Sequence, residues 1–111
     1  MSKREAGLLL LDILESIAKI KKYVDGYSYE EFLNDSKTCD AVIRNFEIIG
    51  EAANRLPDEI RDKHTEINWF RIRGLRNRIV HDYMGVDYEI VWSIIQNDIN
   101  ELAQGIVKII D

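Results

Sequence analysis

The sequence contains few of the residues that support disulfides, metal sites or membrane spans. Cys39 is the only cysteine, so no internal disulfide can form, and one cysteine with two histidines cannot make the usual kind of zinc site. No acidic motif with metal-ligand spacing is present, and the apolar run from Gly7 to Leu11 is far too short to cross a bilayer. The N-terminus also lacks the features of a secretory signal. We therefore expect a cytoplasmic protein without a membrane span, a bound metal or another cofactor.

The remaining composition is that of one folded globular domain. Hydrophobic residues make up 46% and charged residues 32% of the 111 positions, which is ordinary for a globular protein and argues against a disordered chain. The length corresponds to one domain, which we expect to cover residues 1–111. The net charge of −5 argues against a protein that coats nucleic acid unspecifically.

Apolar residues recur at helical spacing along most of the chain, and no segment alternates as a strand would. Capping residues mark the helix ends: Ser28 and Glu31 form a capping box, and Asn68 and Asp87 precede further helical repeats. Gly85 stands where a left-handed residue would end a helix. These signals predict helices over residues 2–24, 28–33, 37–56, 57–64, 69–84 and 87–110. We expect an all-α bundle of four main helices with one or two short ones.

The run from Arg76 to Tyr83 combines a histidine, two arginines, an amide and a phenol within eight residues. On the predicted helix, His81 falls in the last turn, about 140° around the axis from Arg76 at about 100° per residue. One straight helix therefore cannot easily aim both side chains at one atom. A site here needs a distorted last turn or a second copy of the helix, which a two-fold dimer supplies. The alternative is a solvated helix end, where the histidine interacts with the helix dipole and the tyrosine ring packs.

The same part of the chain is strongly basic. Between Phe70 and His81 there are four arginines and no acid, so this segment carries +4 and the rest of the chain −9. A basic strip in an acidic body suits a cleft that admits one RNA segment and repels RNA elsewhere. The alternative is a solvated basic face. The four residues are Arg71, Arg73, Arg76 and Arg78.

Two separate runs resemble the HepT-like branch of the HEPN superfamily. The run from Gly74 to Asp87 is similar to that family's ribonuclease motif, in which an arginine is followed after four residues by a histidine and, one residue later, by a tyrosine. The run from Asp40 to Ala52 also resembles the family. The resemblance implies a HEPN-type helical bundle that forms a homodimer. It also implies a metal-independent endoribonuclease, the toxin of a type VII-like toxin-antitoxin pair, with its active site in a cleft at the dimer interface.

The resemblance also implies roles for individual side chains. It makes His81 the acid-base group and Arg76 the group that stabilises the transition state, because a histidine exchanges protons near neutral pH and a guanidinium stays charged. Arg44 and Glu47 share a helix face, which is either an exposed salt-bridge ladder or a face turned toward this cleft. In the second case Arg44 contacts phosphate and Glu47 orients Arg76 or His81. The RNA-binding or supporting residues are then Arg73, Asn77, Arg78, Arg44 and Glu47.

The family further implies a partner protein. HepT-like proteins pair with a small nucleotidyltransferase antitoxin, which in related systems transfers AMP onto the motif tyrosine, and Tyr83 occupies that position. AMPylation of Tyr83 would block RNA by bulk and negative charge. The alternative for this tyrosine is a ring packed at the dimer interface. The alternative for the whole protein is a non-catalytic subunit that binds a nucleotide or docks onto the transferase, with His81 and Arg76 as ligand contacts.

Overall fold

The computed structural model describes residues 1–81 and 85–110, and this part of the chain is almost entirely helical. The expected all-α fold is confirmed. The described residues form four longer helices, as expected, and four short ones where one or two were expected. In chain order the elements are α1 (Lys3–Tyr23), α2 (Tyr29–Leu33), α3 (Ser36–Arg55), α4 (Asp58–Lys63), α5 (Trp69–Arg73), α6 (Leu75–Ile79), β1 (Val80–His81), β2 (Gly85–Val86), α7 (Tyr88–Asn97) and α8 (Ile99–Ile110).

The core is built on the packing of α1 along α3, with α8 against α1 and with α5 and α6 against α3. Each long helix turns one apolar stripe inward, as the helical spacing predicts. Ile13 and Ile20 of α1 and Val42 and Ile49 of α3 are fully buried. Burial of this stripe fixes α3 as the support on which the short helices α5 and α6 rest. None of the helices in the described ranges has the length and apolar character needed to span a bilayer.

Three of the predicted helix starts are confirmed by their cap hydrogen bonds. The Ser28 hydroxyl accepts from the backbone N–H of Glu31, whose carboxylate accepts from the Ser28 N–H, so the capping box is complete. The Asn68 side chain accepts from the N–H of Arg71 at the start of α5. The Asp87 carboxylate accepts from the N–H of Ile90 at the start of α7. Each cap satisfies an N–H that has no partner inside its helix.

The predicted helix over residues 69–84 is wrong in two respects. It is divided at Gly74, whose N–H bonds to the carbonyl of Phe70, and it ends at Ile79 rather than near Gly85. Val80 and His81 instead pair antiparallel with Val86 and Gly85 in a two-residue ladder. Two physical causes are visible. Val80 and Val86 are β-branched residues that favour an extended backbone, and Gly85 adopts the left-handed φ of +73° inside the hairpin rather than at a helix end.

The predicted helix over residues 87–110 is also divided. Its first part, α7, ends at Asp98, whose N–H still bonds to the carbonyl of Ile94, and α8 begins at Ile99. The break places the Asp98 side chain next to α5, where it lies 3.7 Å from the Arg71 guanidinium. The apolar pattern was nevertheless informative, because Val91 and Ile106 are fully buried as expected.

Candidate active site

The motif residues are held by two buried anchors on α6. Leu75 and Ile79 are buried in the core, whereas Arg76 and Asn77, which lie between them, are exposed to solvent. Packing of α6 against α3 and α7 therefore fixes the backbone beneath the polar side chains. His81 follows two residues after Ile79 and is also exposed. Because the chain leaves the helix at Val80, His81 does not occupy the last helical turn. The structure therefore does not place the two side chains on one straight helix, and whether a second copy of the chain completes the site stays a prediction.

His81 faces a carboxylate that the sequence reasoning assigned only to a helix cap. Its Nε2 lies 3.6 Å from Oδ2 of Asp87, and the two side chains are 47% and 33% exposed. The hairpin causes this approach, because pairing of His81 with Gly85 returns the chain to within two residues of Asp87. A hairpin signal was present in the sequence, since Gly85 is followed by a valine that can pair with Val80. Helical spacing alone predicts a helix end at this glycine instead.

Arg73 is oriented by a hydrogen bond from α5 to α3. Its Nε donates a 2.7 Å hydrogen bond to Oδ1 of Asn54, close to the end of α3. The guanidinium remains exposed on the surface of α5. The bond spans 19 residues in sequence, so no local pattern could have indicated it.

Arg78 lines a cavity next to α6. The cavity has a volume of about 470 Å³ and an apolar wall that includes Ile72 and Leu75, with Arg71, Arg78 and Asp98 among its polar lining residues. Burial lowers the pKa of Arg78, the neighbouring Arg71 lowers it further, and Asp98 opposes the shift. His81 does not line the cavity.

The polar face of α3 forms the ion pair expected from its spacing. Nη1 of Arg44 lies 3.7 Å from Oε2 of Glu47, and the two side chains are 64% and 41% exposed. Within residues 1–81 and 85–110, no hydrogen bond or ion pair joins Glu47 to Arg76 or His81. The orienting role of Glu47 and the phosphate contact of Arg44 therefore remain predictions.

The two aromatic residues at the start of α5 have opposite environments. Trp69 is buried and its Nε1 donates a 2.9 Å hydrogen bond to the His64 carbonyl, so this ring belongs to the core. The adjacent Phe70 is 89% exposed. Tyr83, the predicted modification site, lies outside the residues that the structure describes. Among the described residues, no cluster of three or more histidine, cysteine, aspartate or glutamate side chains is arranged to hold a metal ion.

Comparison with known proteins identifies the family. The family profile described as "Ribonuclease HepT-like" matches residues 13–109. Three relatives carry names that propose a ribonuclease. They are a ribonuclease HepT of Thermococcus cleftensis (39% identity, covering 96% of this chain and 97% of the relative), an RNase of Methanocaldococcus jannaschii (38%, 98% and 93%) and an RNase of Caldanaerobacter subterraneus (39%, 88% and 88%). No solved structure matches the chain significantly. Because the profile spans most of its length and relatives of 38–39% identity are covered almost end to end, the chain belongs to the HepT-like ribonuclease family.

Proposed function

We propose that this protein is an endoribonuclease that cleaves RNA without a metal ion and acts as the toxin of a toxin-antitoxin pair. The observation that carries the proposal is the placement of Arg76 and His81. Both side chains are exposed on adjacent elements, α6 and β1, above the buried anchors Leu75 and Ile79. The family profile spans this motif, and the names of the relatives propose a ribonuclease activity for those proteins.

RNA carries its own nucleophile, so the protein must move protons and stabilise charge. The His81 imidazole removes the proton of the 2′-hydroxyl, whose oxygen then forms a bond to the adjacent phosphorus. Arg76 donates hydrogen bonds to the non-bridging oxygens of the phosphorane as their negative charge grows. The bond from phosphorus to the 5′-oxygen breaks, and that oxygen takes up a proton. The products are a 2′,3′-cyclic phosphate and a 5′-hydroxyl. Acid-base catalysis of this kind contributes roughly 10²- to 10⁴-fold to the rate.

The reaction needs one group to take a proton and another to give one. A single chain offers one His81, and the other histidine, His64, lies in a separate loop beside Glu66 at 3.6 Å. A two-fold dimer would bring together two copies of His81 and two of Arg76 in one cleft. We therefore propose that the active form is a homodimer. Asn77, Arg73 and Arg44 would then contact RNA or the second copy from the rim of this cleft.

The proposed antitoxin is a nucleotidyltransferase that attaches AMP to Tyr83. This residue is two positions from His81 in sequence, so a nucleotide on its phenol oxygen would add bulk and negative charge beside the imidazole and repel RNA phosphate. Incubation with the cognate transferase and ATP should add the mass of AMP to the protein. The substitution Tyr83→Phe should abolish that addition, and an addition that survives it would place the modified residue elsewhere.

One observation supports a second candidate function, a nucleotide-binding or docking subunit without catalysis. The cavity of about 470 Å³ beside Arg78 is large enough for a small ligand and combines apolar walls with two guanidinium groups. In this case the cavity, rather than the exposed motif, would bind the nucleotide.

Cleavage of total cellular RNA in EDTA tests the proposal. The wild type should cut RNA and leave 2′,3′-cyclic phosphate ends, whereas His81→Ala and Arg76→Ala should be inactive although folded. The matched control is His64→Ala, which removes the other histidine and should cleave as the wild type does. Activity that persists in His81→Ala would refute the catalytic role. Absence of cleavage by an unmodified wild-type dimer would favour the second candidate.

A further inference from the structure

We propose that Asp87 is a positioning residue for His81 and that Nδ1 of the imidazole is the nitrogen that meets RNA. The inference rests on the proposed ribonuclease function and adds to it a residue outside the arginine, histidine and tyrosine motif. Its basis is the approach of Asp87 Oδ2 to His81 Nε2 at 3.6 Å across the hairpin.

The backbone of Asp87 is fixed on both sides. Its N–H donates a 2.7 Å hydrogen bond to the carbonyl of Ile79, and its own carbonyl accepts from the N–H of Val91 at 3.1 Å. Ile79 and Val91 are both fully buried. The Cα of Asp87 is therefore tied to the core at the end of α6 and at the start of α7, within two residues of β2.

The two oxygens of the Asp87 carboxylate have different partners. Oδ1 accepts from the N–H of Ile90 and caps α7, which sets the rotation of the whole carboxylate group. Oδ2 is then directed toward His81. A second aspartate cap in the same chain shows that this use of Oδ2 is not required for capping. At Asp35, which caps α3, Oδ2 instead accepts hydrogen bonds from Tyr27 and Thr38.

His81 is tied to the same framework by its backbone. It pairs with Gly85 in the two-residue ladder, next to the pair of Val80 with Val86. The imidazole and the carboxylate thus stand on adjoining elements that are joined by backbone hydrogen bonds. A separation of 3.6 Å is slightly longer than a hydrogen bond, and catalytic hydrogen bonds of this kind commonly shorten when substrate binds.

The position of the Asp87 carboxylate determines which nitrogen of the His81 imidazole accepts the proton from RNA. A carboxylate beside Nε2 holds the proton on that nitrogen, so the lone pair of the neutral imidazole is on Nδ1. Nδ1 then accepts the proton from the 2′-hydroxyl. The imidazolium that results has its positive charge opposite Asp87, which stabilises it while the phosphorane forms. Asp87 itself exchanges no proton in this scheme.

The variant Asp87→Asn separates this role from capping, because asparagine caps helices about as well as aspartate does. With its amide oxygen retained at the cap, the amide NH₂ group faces Nε2 and donates to it, so the proton moves to Nδ1 and the required lone pair is lost. We expect kcat to fall roughly 10- to 100-fold with KM changed less than about twofold. The melting temperature should change by no more than about 3 °C. Asp35→Asn, at the other aspartate cap, should leave kcat unchanged.

A spectroscopic readout tests the tautomer directly. In long-range proton–nitrogen NMR spectra at a pH where the imidazole is neutral, the His81 signals, assigned by their loss in His81→Ala, should show the proton on Nε2 in the wild type. They should show it on Nδ1 in Asp87→Asn. If Asp87→Asn keeps wild-type kcat and the wild-type tautomer, the inference is wrong. If His81→Ala remains active, the proposed function itself is wrong, so the two failures are distinguishable.

Discussion

Arg61 closes the C-terminal end of α3, and its removal should destabilise the protein by about 3 kcal/mol. The carbonyl of Ala53 would normally accept a hydrogen bond from the residue four positions later, but that residue is Pro57, which has no N–H. Nη1 of Arg61 supplies the missing donor at 2.9 Å and also bonds to the carbonyl of Leu56 at 2.6 Å. Its Nη2 group contacts Asp58.

The expected loss of stability follows from the burial of the Arg61 side chain. The Arg61 side chain is only 11% exposed, whereas that of Asp58 is 85% exposed. A hydrogen bond from a charged donor contributes roughly 1.5 to 3 kcal/mol, so at the lower value the loss of two bonds in Arg61→Ala should lower the free energy of unfolding by about 3 kcal/mol. With an unfolding entropy of about 0.23 kcal/mol/K for a chain of this length, the melting temperature should fall by about 13 °C.

Urea unfolding followed by circular dichroism, at one fixed protein concentration, measures this change. The control is Asp58→Asn, which removes only the exposed ion pair and should alter the free energy of unfolding by less than about 1 kcal/mol. If Arg61→Ala is no more destabilising than Asp58→Asn, the two carbonyl bonds do not hold the end of α3. In that case the explanation based on Pro57 is wrong.

Two further predictions concern stability. In α1, a Cβ added at Gly7 would meet open space, so Gly7→Ala should raise the free energy of unfolding by about 0.5 to 1 kcal/mol. In α8, a Cβ added at Gly105 would lie 2.9 Å from the Ile67 side chain, so Gly105→Ala should lower the free energy of unfolding by about 1 kcal/mol or more. If urea unfolding shows that the two substitutions change the free energy of unfolding equally, this prediction is wrong. Hydrogen bonds from Tyr27 and then Thr38 lower the pKa of the Asp35 carboxyl. A lowered pKa in the folded state contributes stability above the ordinary pKa near 3.9, and this contribution is lost as the pH falls through the folded-state pKa. Tyr27→Phe should therefore weaken the protein more at pH 7 than at pH 2, and an equal effect at both would contradict this.

Local spacing predicted the parts of the fold that depend on neighbours along the chain. The capping box at Ser28 and the caps at Asn68 and Asp87 were predicted correctly, because a cap involves residues only two or three positions apart. The buried stripes of α1 and α3 were predictable for a similar reason, since helical periodicity alone determines which positions share a face.

The predicted helices failed where a tertiary contact overrides local preference. Residues 69–84 have helical apolar spacing throughout, yet the chain leaves the helix after Ile79. The competing stabilisation comes from the hairpin ladder and from the bond between the Asp87 N–H and the Ile79 carbonyl. Both require partners several residues further along the chain. A pattern that counts only neighbours within one helix cannot include them.

The sequence by itself determined the all-α class, the position of the caps, the spacing of Arg76 and His81, and the concentration of positive charge around them. These properties depend only on the order of residues and not on how the helices pack. Only the tertiary structure decided that His81 leaves the helix to face Asp87, that Arg73 bonds to Asn54, and that Arg78 lies beside a cavity near Asp98. The physical reason is that these contacts join separate elements, and their distances are set by how α3, α7 and α8 pack around α5 and α6.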